Sequence, residues 1–249
     1  MIILKSQKEI ESLTKSCYIV ASTLDAIKSI VRPAITTKEI DNFADAYIRA
    51  NNAVPAFKGY RGYPASICAS VNNEVIHGIP SDRLLKEGDI ISIDLGVYKD
   101  GFYGDAAYTF PVGKINSDAE KLIRVTEESL YIGINNARQD NRVSDISYSI
   151  QSYVESNGFS VVRAFVGHGI GRELHEEPQV PNFGPPNRGP RLQAGMTLAI
   201  EPMVNEGVYE VSVLGDGWTA VTADGKLSAH FEHTVLVTAD NPRILTKLD

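Results

Sequence analysis

The chain has 249 residues, 43% hydrophobic and 22% charged, a mixture typical of a globular protein with a core of its own. The net charge of -7 and the lack of a basic run argue against nucleic-acid binding. Two cysteines are too few for a disulfide framework, and no segment approaches the roughly 20 apolar residues of a membrane helix.

We therefore expect a cytoplasmic protein that contacts neither membrane nor nucleic acid, folded as one domain over residues 1–249. The first helix is predicted to start at a capping box formed by Ser6 and Glu9 and to end before Pro33. A second capping box, at Thr36 and Glu39, predicts the start of the next helix.

Two further helices and six strands are predicted downstream. A third capping box at Ser117 and Glu120 predicts one helix, and the spacing of Ile146, Ile150 and Val154 predicts another. The predicted strands are residues 67–71, 90–97, 102–110, 161–166, 197–204 and 234–238.

The second half of the chain repeats features of the first. Gly88 precedes Asp94 across one predicted strand as Gly195 precedes Glu201 across another. Four residues of the second helix recur at a constant offset in the fourth: Ile40, Tyr47, Ile48 and Asn51 match Ile146, Tyr153, Val154 and Asn157. We predict an α+β fold of two duplicated halves, residues 1–113 and 114–249, with antiparallel sheet covered by helices. Asp94 and Glu201 would then meet at the seam, where ligand sites tend to lie.

The segment around Asp100-Gly101 predicts a two-residue β-hairpin turn, because both positions favour the type I′ geometry. In the resulting register Asp94 and Asp105 are diagonal neighbours on one sheet face, ~7–8 Å apart at Cα. Such a pair is costly to bury, so it is either exposed to solvent or bound to a cation.

The apolar neighbours of these acids favour the cation. Glu201 and Glu232 also lie in apolar strand-like segments. Four carboxylates and a few imidazoles, without thiolates, suit manganese, iron(II), cobalt or zinc. Four acids would balance two ions, and paired ions ~3.5–4 Å apart activate water for hydrolysis of an amide or a phosphate ester.

Several segments resemble the methionine aminopeptidase family, type I. They are SIDLGVYKDGFYGD, GHGIGRELHEEP, AIEPMV and HFEHT, and the resemblance extends over essentially the whole chain. It implies the two-fold "pita-bread" (creatinase/aminopeptidase) fold and removal of the initiator methionine when the second residue is small. It also implies five ligands for two divalent ions: Asp94, Asp105, His168, Glu201 and Glu232.

The resemblance assigns a role to each residue. Asp94 would chelate one ion, Asp105 and Glu232 would bridge both, and His168 with Glu201 would complete the other. Glu201 would also carry the proton of the attacking water. His175 would hydrogen-bond the scissile carbonyl, and His77 the substrate amide. His230 and His233 are expected to be structural.

The resemblance also implies an apolar methionine pocket at Tyr60, Tyr63, Cys68, Met203 and Trp218. Three residues depart from the family pattern: Phe57, Leu174 and His230. A monovalent cation is expected near Asn72, although Asn73 and Glu74 beside it are unusual.

Other interpretations stay open at this point. A proline-specific aminopeptidase or prolidase of the same fold would carry a large additional N-terminal domain, for which residues before Ser6 leave no room. A type II enzyme would carry an insertion between Glu201 and Glu232. A non-catalytic binding module would have lost ligands. The expected partners are nascent polypeptide N-termini, with transient proximity to ribosomes, and the protein is expected to be a monomer.

Overall fold

A computed structural model describes residues 1–248, which form four α-helices and fifteen short or medium-length strands. The helices are α1 (Gln7–Lys28), α2 (Thr37–Ala50), α3 (Ser117–Asn135) and α4 (Val143–Ser156). The strands in chain order are β1 (Val54–Pro55), β2 (Cys68–Val71), β3 (Glu74–Ile76), β4 (Ile90–Lys99), β5 (Phe102–Pro111), β6 (Ser160–Val161), β7 (Gly167–Gly169), β8 (Glu176–Val180), β9 (Thr197–Ile200), β10 (Met203–Asn205), β11 (Val211–Val213), β12 (Ala220–Thr222), β13 (Ser228–His230), β14 (His233–Leu236) and β15 (Arg243–Ile244).

The strands pair antiparallel in four sheets. One sheet has the order β1-β4-β2 with β5 also on β4, and another has the order β15-β14-β9-β7-β8. The other two sheets are three-stranded, with the orders β13-β10-β6 and β11-β12-β3. The predicted α+β class is confirmed. Among residues 1–248, no helix combines the length and apolarity needed to cross a membrane.

Both predicted capping boxes in the first half are present. The Glu39 backbone N–H donates to Thr36 Oγ1 at 3.1 Å, and the Thr36 N–H donates to the Glu39 carboxylate at 2.8 Å. The predicted start of α3 is one residue late. Asn116 caps this helix by accepting from the Ala119 N–H at 2.8 Å, because an Asn side chain at this position reaches the free backbone donors of the first turn.

The repeat in the sequence has structural counterparts. α2 buries Ile40 and Ile48, and α4 buries Ile146 and Val154 at matching positions. Each helix ends at an Asn whose Nδ2 donates to the carbonyl of the Tyr four residues earlier, at 2.9 Å in both cases: Asn51 to Tyr47 and Asn157 to Tyr153. Two helices of equal length thus close in the same way. The boundary between residues 113 and 114 stays a prediction.

Three strand predictions need correction. Of residues 161–166, only Val161 lies in a strand, and Phe165 instead packs edge-on against the His77 ring at 5.6 Å. The predicted strand 197–204 is interrupted at Glu201 and Pro202, because proline has no N–H for a strand ladder. Likewise the last predicted strand, residues 234–238, is observed as His233–Leu236.

The β4–β5 hairpin follows the predicted register. Asp100 and Gly101 have φ of 50° and 87°, as a type I′ turn requires. Asp94 pairs with Ala107, and Gly96 pairs with Asp105. The two acids are therefore diagonal neighbours on one face, and both are buried, with 7% and 4% of their surface exposed. Solvent exposure is excluded as the explanation of this pair.

A short antiparallel contact joins β5 to the segment at β13 and β14. The Glu232 N–H donates to the Ala107 carbonyl at 2.9 Å, and the Ala107 N–H donates to the Glu232 carbonyl at 3.4 Å. A threonine hydroxyl lies on each side of this pair. Thr109 Oγ1 accepts from the His230 N–H and donates to the His230 carbonyl, at 2.9 and 2.8 Å. In the same way, Thr234 Oγ1 accepts from the Asp105 N–H and donates to its carbonyl, at 3.1 and 2.8 Å.

We expect Thr234→Val to destabilise the protein by about 1–3 kcal/mol, because the buried N–H and carbonyl of Asp105 would both lose their partner. Urea unfolding of the metal-free protein measures this loss. Thr234→Ser is the matched control, since it keeps the hydroxyl and removes only the methyl group. Equal losses in the two variants would show that the hydroxyl contributes nothing.

Candidate active site

Asp105 and Glu232 lie where β5 contacts the segment between β13 and β14, and they line a cavity of about 160 Å³. This volume is far larger than the roughly 10–15 Å³ that one water needs. It therefore has room for a ligand. Two groups of side chains form its wall. The polar group is Asp94, Asp105, His168, Glu201, Glu232, His77 and His175, and the mainly apolar group is Phe57, Tyr60, Arg61, Tyr63, Cys68, Ile76, Leu174 and Trp218.

The four carboxylates are supplied by both parts of the chain and are almost inaccessible. Asp94 lies on β4, Asp105 on β5, Glu201 directly after β9, and Glu232 between β13 and β14. Their exposed fractions lie between 3% and 7%. Three buried oxygens, Asp94 Oδ1, Asp105 Oδ1 and Glu232 Oε1, accept no hydrogen bond from any residue in 1–248. Buried polar atoms without a partner are rare, and a bound cation is the partner that this set of donors fits.

His168 has the geometry of a metal ligand. Its Nδ1 lies 2.8 Å from the Gly169 carbonyl, which can only accept, so the proton is on Nδ1 and Nε2 has a free lone pair. Nε2 is 3.5 Å from Glu201 Oε1. One ligand atom from each of Asp105, His168 and Glu232 lies within 4.8 Å of the others. Such a cluster suits a divalent metal ion.

Burial and mutual repulsion shift the pKa values of these groups. Burial raises the pKa of Asp94 to about 7. Burial, and then the charge of Asp94, raise the pKa values of Asp105 and Glu201 well above normal. The pKa of Glu232 is raised by burial first and then by Asp105. Without a cation the four acids cannot all be ionised at neutral pH at low cost.

The histidines are held neutral. Burial, and then His175, lower the pKa of His168 to about 3 and that of His77 to about 4. Burial, followed by Arg61, lowers the pKa of His175 itself. A neutral imidazole can coordinate a metal ion or donate one hydrogen bond, and it brings no positive charge that would repel a cation.

His175 and His77 face the cavity from different elements. His175 directly precedes β8, and its Nδ1 lies 2.8 Å from the Tyr60 hydroxyl. Its ring centroid is 4.3 Å from that of His168. His77 follows β3 with a positive φ of 61°, which is uncommon outside glycine and occurs most often where function constrains the backbone.

Aromatic side chains form the apolar end of the cavity. Tyr63 and Trp218 pack edge-to-face with ring centroids 5.1 Å apart, and the Tyr63 hydroxyl donates to the Gly78 carbonyl at 2.9 Å. Burial raises the pKa of the Cys68 thiol well above normal, so this cysteine lines the wall of the metal-free cavity as a neutral thiol.

Met203 does not line the cavity, in contrast to the other predicted pocket residues. It is fully buried in β10 and packs with Val75, Ile76 and Val162 in a neighbouring cluster. The interruption at Pro202 separates β10 from β9, so Met203 is not positioned as a continuation of the strand that leads to Glu201. Ile76, from the same cluster, reaches the wall instead.

Sequence reasoning also missed Arg61 as a wall residue. Arg61 has a positive φ of 49° in the turn after Tyr60, and its guanidinium lies 5.3 Å from the Tyr60 ring centroid. Its position between Tyr60 and Tyr63, near two glycines, was the available signal. Phe57 and Leu174, two of the departures from the family pattern, are both at the wall.

Two other predicted positions lie outside the cavity wall. His230 is fully buried, and burial followed by His77 lowers its pKa to about 3. At Asn72, both oxygens already accept hydrogen bonds: Oδ1 from the Ile90 N–H and the carbonyl from the Ser228 N–H, at 3.0 and 2.9 Å.

Residues 11–239 match the profile of metallopeptidase family M24. The methionine aminopeptidase of Clostridium perfringens is 61% identical over 246 residues, which is 99% of each chain. The chain belongs to metallopeptidase family M24, among its methionine aminopeptidases. A crystal structure of methionine aminopeptidase from Thermotoga maritima superposes with a TM-score of 0.98 at 47% identity and covers 100% of both chains.

Family membership confirms the predicted pita-bread fold and the predicted class, a metal-dependent aminopeptidase of the hydrolase type. The prolidase of Pyrococcus horikoshii matches with a TM-score of 0.82 but at 22% identity, and this chain covers 65% of it. That similarity extends to the fold alone. The proline-specific alternative is therefore not favoured.

Proposed function

We propose that the protein removes the N-terminal methionine from peptides and nascent proteins whose second residue is small. The observation that carries the proposal is the convergence of three unpartnered carboxylate oxygens and one free imidazole nitrogen on a cavity with an aromatic end. An amide bond placed between the polar and apolar walls would have its methionine side chain against the rings and its carbonyl near His175.

Five residues would hold two divalent ions: Asp94, Asp105, His168, Glu201 and Glu232. Cobalt, manganese, iron(II) and zinc all suit these oxygen and nitrogen donors. When bound, such ions would lower the pKa of a water molecule and polarise the scissile carbonyl. The unpartnered oxygens of Asp94, Asp105 and Glu232 fit this assignment, since each lacks a hydrogen bond within residues 1–248.

Side chains of this protein would carry out the proton transfers and bind the substrate carbonyl and amide. Glu201 would accept the proton of the attacking water and pass it to the leaving amine, because its carboxylate lies in the cavity beside the His168 imidazole, with Oε1 3.5 Å from Nε2. If the Tyr60 hydroxyl donates to Nδ1, His175 carries its proton on Nε2. The Nε2–H group would then donate a hydrogen bond to the carbonyl oxygen as negative charge develops on it. His77 would bind the substrate amide.

Tyr60, Tyr63, Cys68 and Trp218 would bind the methionine side chain by apolar contact. Phe57 and Leu174 belong to the same apolar wall. Met203 would act through packing behind Ile76 and would not touch substrate.

Peptide hydrolysis tests this proposal. Purified protein with Mn²⁺ or Co²⁺ should release methionine from Met-Gly-Met-Met and should leave Leu-Gly-Met-Met and Pro-Gly-Met-Met intact. Chelation should abolish release. Preferential cleavage of a peptide with another N-terminal residue would contradict the substrate assignment. A protein that binds no divalent metal in elemental analysis would instead be a non-catalytic binding module.

The setting of the reaction follows from its substrate. New chains present their initiator methionine near ribosomes in the cytoplasm, so we place the protein there as a monomer in transient contact with nascent chains. A monovalent cation near Asn72 stays a prediction. Each Asn72 oxygen already accepts a hydrogen bond from a backbone N–H. To bind a cation, each oxygen would have to use its second lone pair.

A further inference from the structure

Residues 170–175 connect β7 to β8, and the loop formed by residues 171–175 carries two cavity residues, Leu174 and His175. The loop follows the strand that bears His168, so its conformation decides where the His175 ring lies relative to the metal cluster. One backbone hydrogen bond ties the loop to the β4–β5 hairpin, from the Tyr103 N–H to the Gly171 carbonyl at 2.8 Å. A single bond at the first residue of the loop does not fix the four residues that follow it.

The Glu176 carboxylate holds the middle of the loop, and the Tyr60 hydroxyl contacts the His175 ring at its end. Its Oε1 accepts from the Arg172 N–H at 2.8 Å and from the Glu173 N–H at 3.3 Å. The side chain of the residue directly after His175 thus folds back over the loop and holds two of its backbone donors. A carboxylate buried in this way needs a counter-charge.

Lys5 supplies that counter-charge from far away in the sequence. Its Nζ lies 2.5 Å from Glu176 Oε2, and the two side chains are only 3% and 7% exposed. The Lys5 Nζ also donates to the Ile3 carbonyl at 3.1 Å, and the Lys5 N–H donates to the Gly195 carbonyl at 2.8 Å. The segment before α1 is therefore anchored both at its backbone and at its charge.

On the side that faces Gly171, this pair leaves no room for another side chain. A Cβ added at Gly171 would overlap Lys5 Cε and would lie 2.5 Å from Glu176 Oε1, closer than real Cβ contacts occur. The Lys5 stem and the Glu176 carboxylate thus occupy the space that a side chain at position 171 would need. A second ion pair of the loop, Arg172 with Glu9, is exposed to 62% and 25% and contributes little.

We propose that Lys5 is a positioning residue for catalysis: through its buried ion pair with Glu176, it holds the loop that presents His175 to the substrate carbonyl. This inference rests on the proposed role of His175. Removing one partner of a buried pair leaves an uncompensated charge, and that charge would draw water into the loop and release its backbone. His175 would then lose its alignment, while the metal ligands on β4 and β5 would stay in place.

The test compares Lys5→Met, Glu176→Gln and the double variant with the wild type, all loaded with Mn²⁺. We expect Lys5→Met to lower kcat for Met-Gly-Met-Met by about 10–100-fold, because small misplacements of a catalytic group cost that much. The Mn²⁺ affinity measured by calorimetry should stay within about twofold of the wild type, since the proposed ligands lie outside the loop. KM should change less than kcat, because Leu174 is one residue of a wall that also includes Tyr63, Cys68 and Trp218. Lys8→Met, on the exposed side of α1, is the matched control and should keep wild-type kcat.

The double variant separates positioning from general destabilisation. It is neutral at both positions, and the amide carbonyl of the glutamine introduced at position 176 would still accept from the Arg172 and Glu173 N–H groups. Its kcat should therefore recover to within about threefold of the wild type. Amide hydrogen exchange in the metal-free protein gives a readout independent of turnover. Protection of the Arg172 and Glu173 amides should fall in Lys5→Met and return in the double variant.

Two kinetic outcomes would overturn the inference: wild-type kcat in folded Lys5→Met, or a double variant no more active than Lys5→Met. Glu176→Gln keeps the comparison possible if Lys5→Met does not accumulate as folded protein, since the double variant must then exceed Glu176→Gln. A wild-type protein that cleaves no methionyl peptide would refute the proposed function instead. Unchanged exchange at Arg172 and Glu173 in Lys5→Met would still refute the ion pair as the device that holds the loop.

Discussion

Asp94→Asn is expected to abolish turnover and, at the same time, to make the metal-free protein more stable. Loss of turnover follows because a neutral amide replaces a proposed metal ligand, a carboxylate whose Oδ1 accepts no hydrogen bond within residues 1–248. The gain in stability follows because burial first, and then the charge of Asp94 among other causes, raises the pKa values of Asp105, Glu201 and Glu232. The amide removes that repulsion.

The sign of the pH dependence is fixed by the direction of the shift. Burial raises the pKa of Asp94 to about 7, from an ordinary value of about 3.9 for an aspartate. The protonated form therefore favours folding, and its contribution is complete below about pH 4 and lost as the pH rises through about 7. An asparagine at this position does not titrate, so Asp94→Asn does not lose stability in this way. At pH 8 its free energy of unfolding should exceed that of the wild type by up to about 4 kcal/mol.

Urea unfolding of chelator-treated protein at pH 5, 6, 7 and 8 measures this difference, with Asp82→Asn as a control because Asp82 is exposed. Mn²⁺ should then stabilise the wild type and have little effect on Asp94→Asn. Parallel loss of stability in both proteins over this pH range, or a turnover near that of the wild type in the variant, would contradict the placement of the site.

His175→Ala is expected to lower kcat by about 10²–10³-fold, the usual loss when one hydrogen-bond donor to a developing oxyanion is removed. KM should change less, because this ring contacts the apolar wall through Tyr60, while Tyr63, Cys68 and Trp218 would still bind the methionine side chain. Mn²⁺ affinity should also persist, since His168 Nε2 remains free to coordinate. Steady-state kinetics on Met-Gly-Met-Met with calorimetric titration of Mn²⁺ checks both points.

His175→Gln is the matched control, because its amide can still donate one hydrogen bond, and we expect it to keep more activity than His175→Ala. The pH profile gives an independent readout. Burial, followed by Arg61, lowers the pKa of His175, so a neutral donor is present throughout the range near pH 7. If the alanine variant kept wild-type kcat, another group would have to stabilise the carbonyl.

The β4–β5 hairpin could be predicted in detail because its determinants are local. Asp100-Gly101 fixes a two-residue turn, and a turn of known length fixes every cross-strand pair beyond it. The apolar neighbours of Asp94 then indicated that the acids are buried. The cap of α3 was predicted less well because Asn116 and Ser117 are both good capping residues, and only the conformation decides between them.

The positions of Met203 and Lys5 could not be predicted, for two different reasons. A continuous strand would place Glu201 and Met203 on one face, and the interruption at Pro202 removes that relation. The contact between Lys5 and Glu176 joins residues 171 positions apart, and nothing in the local pattern of either segment indicates the other. Long-range ion pairs of this kind depend on the assembled fold.

The pairing of β5 with the segment around Glu232 has a consequence for how metal uptake relates to folding. Asp94 and Asp105 come from early in the chain, and His168, Glu201 and Glu232 come from late in it. The threonine hydroxyls that fix Asp105 and His230 belong in each case to the opposite strand. The five proposed ligands therefore come together only once both parts of the polypeptide have docked, so high-affinity binding of a divalent ion would report the last stage of assembly.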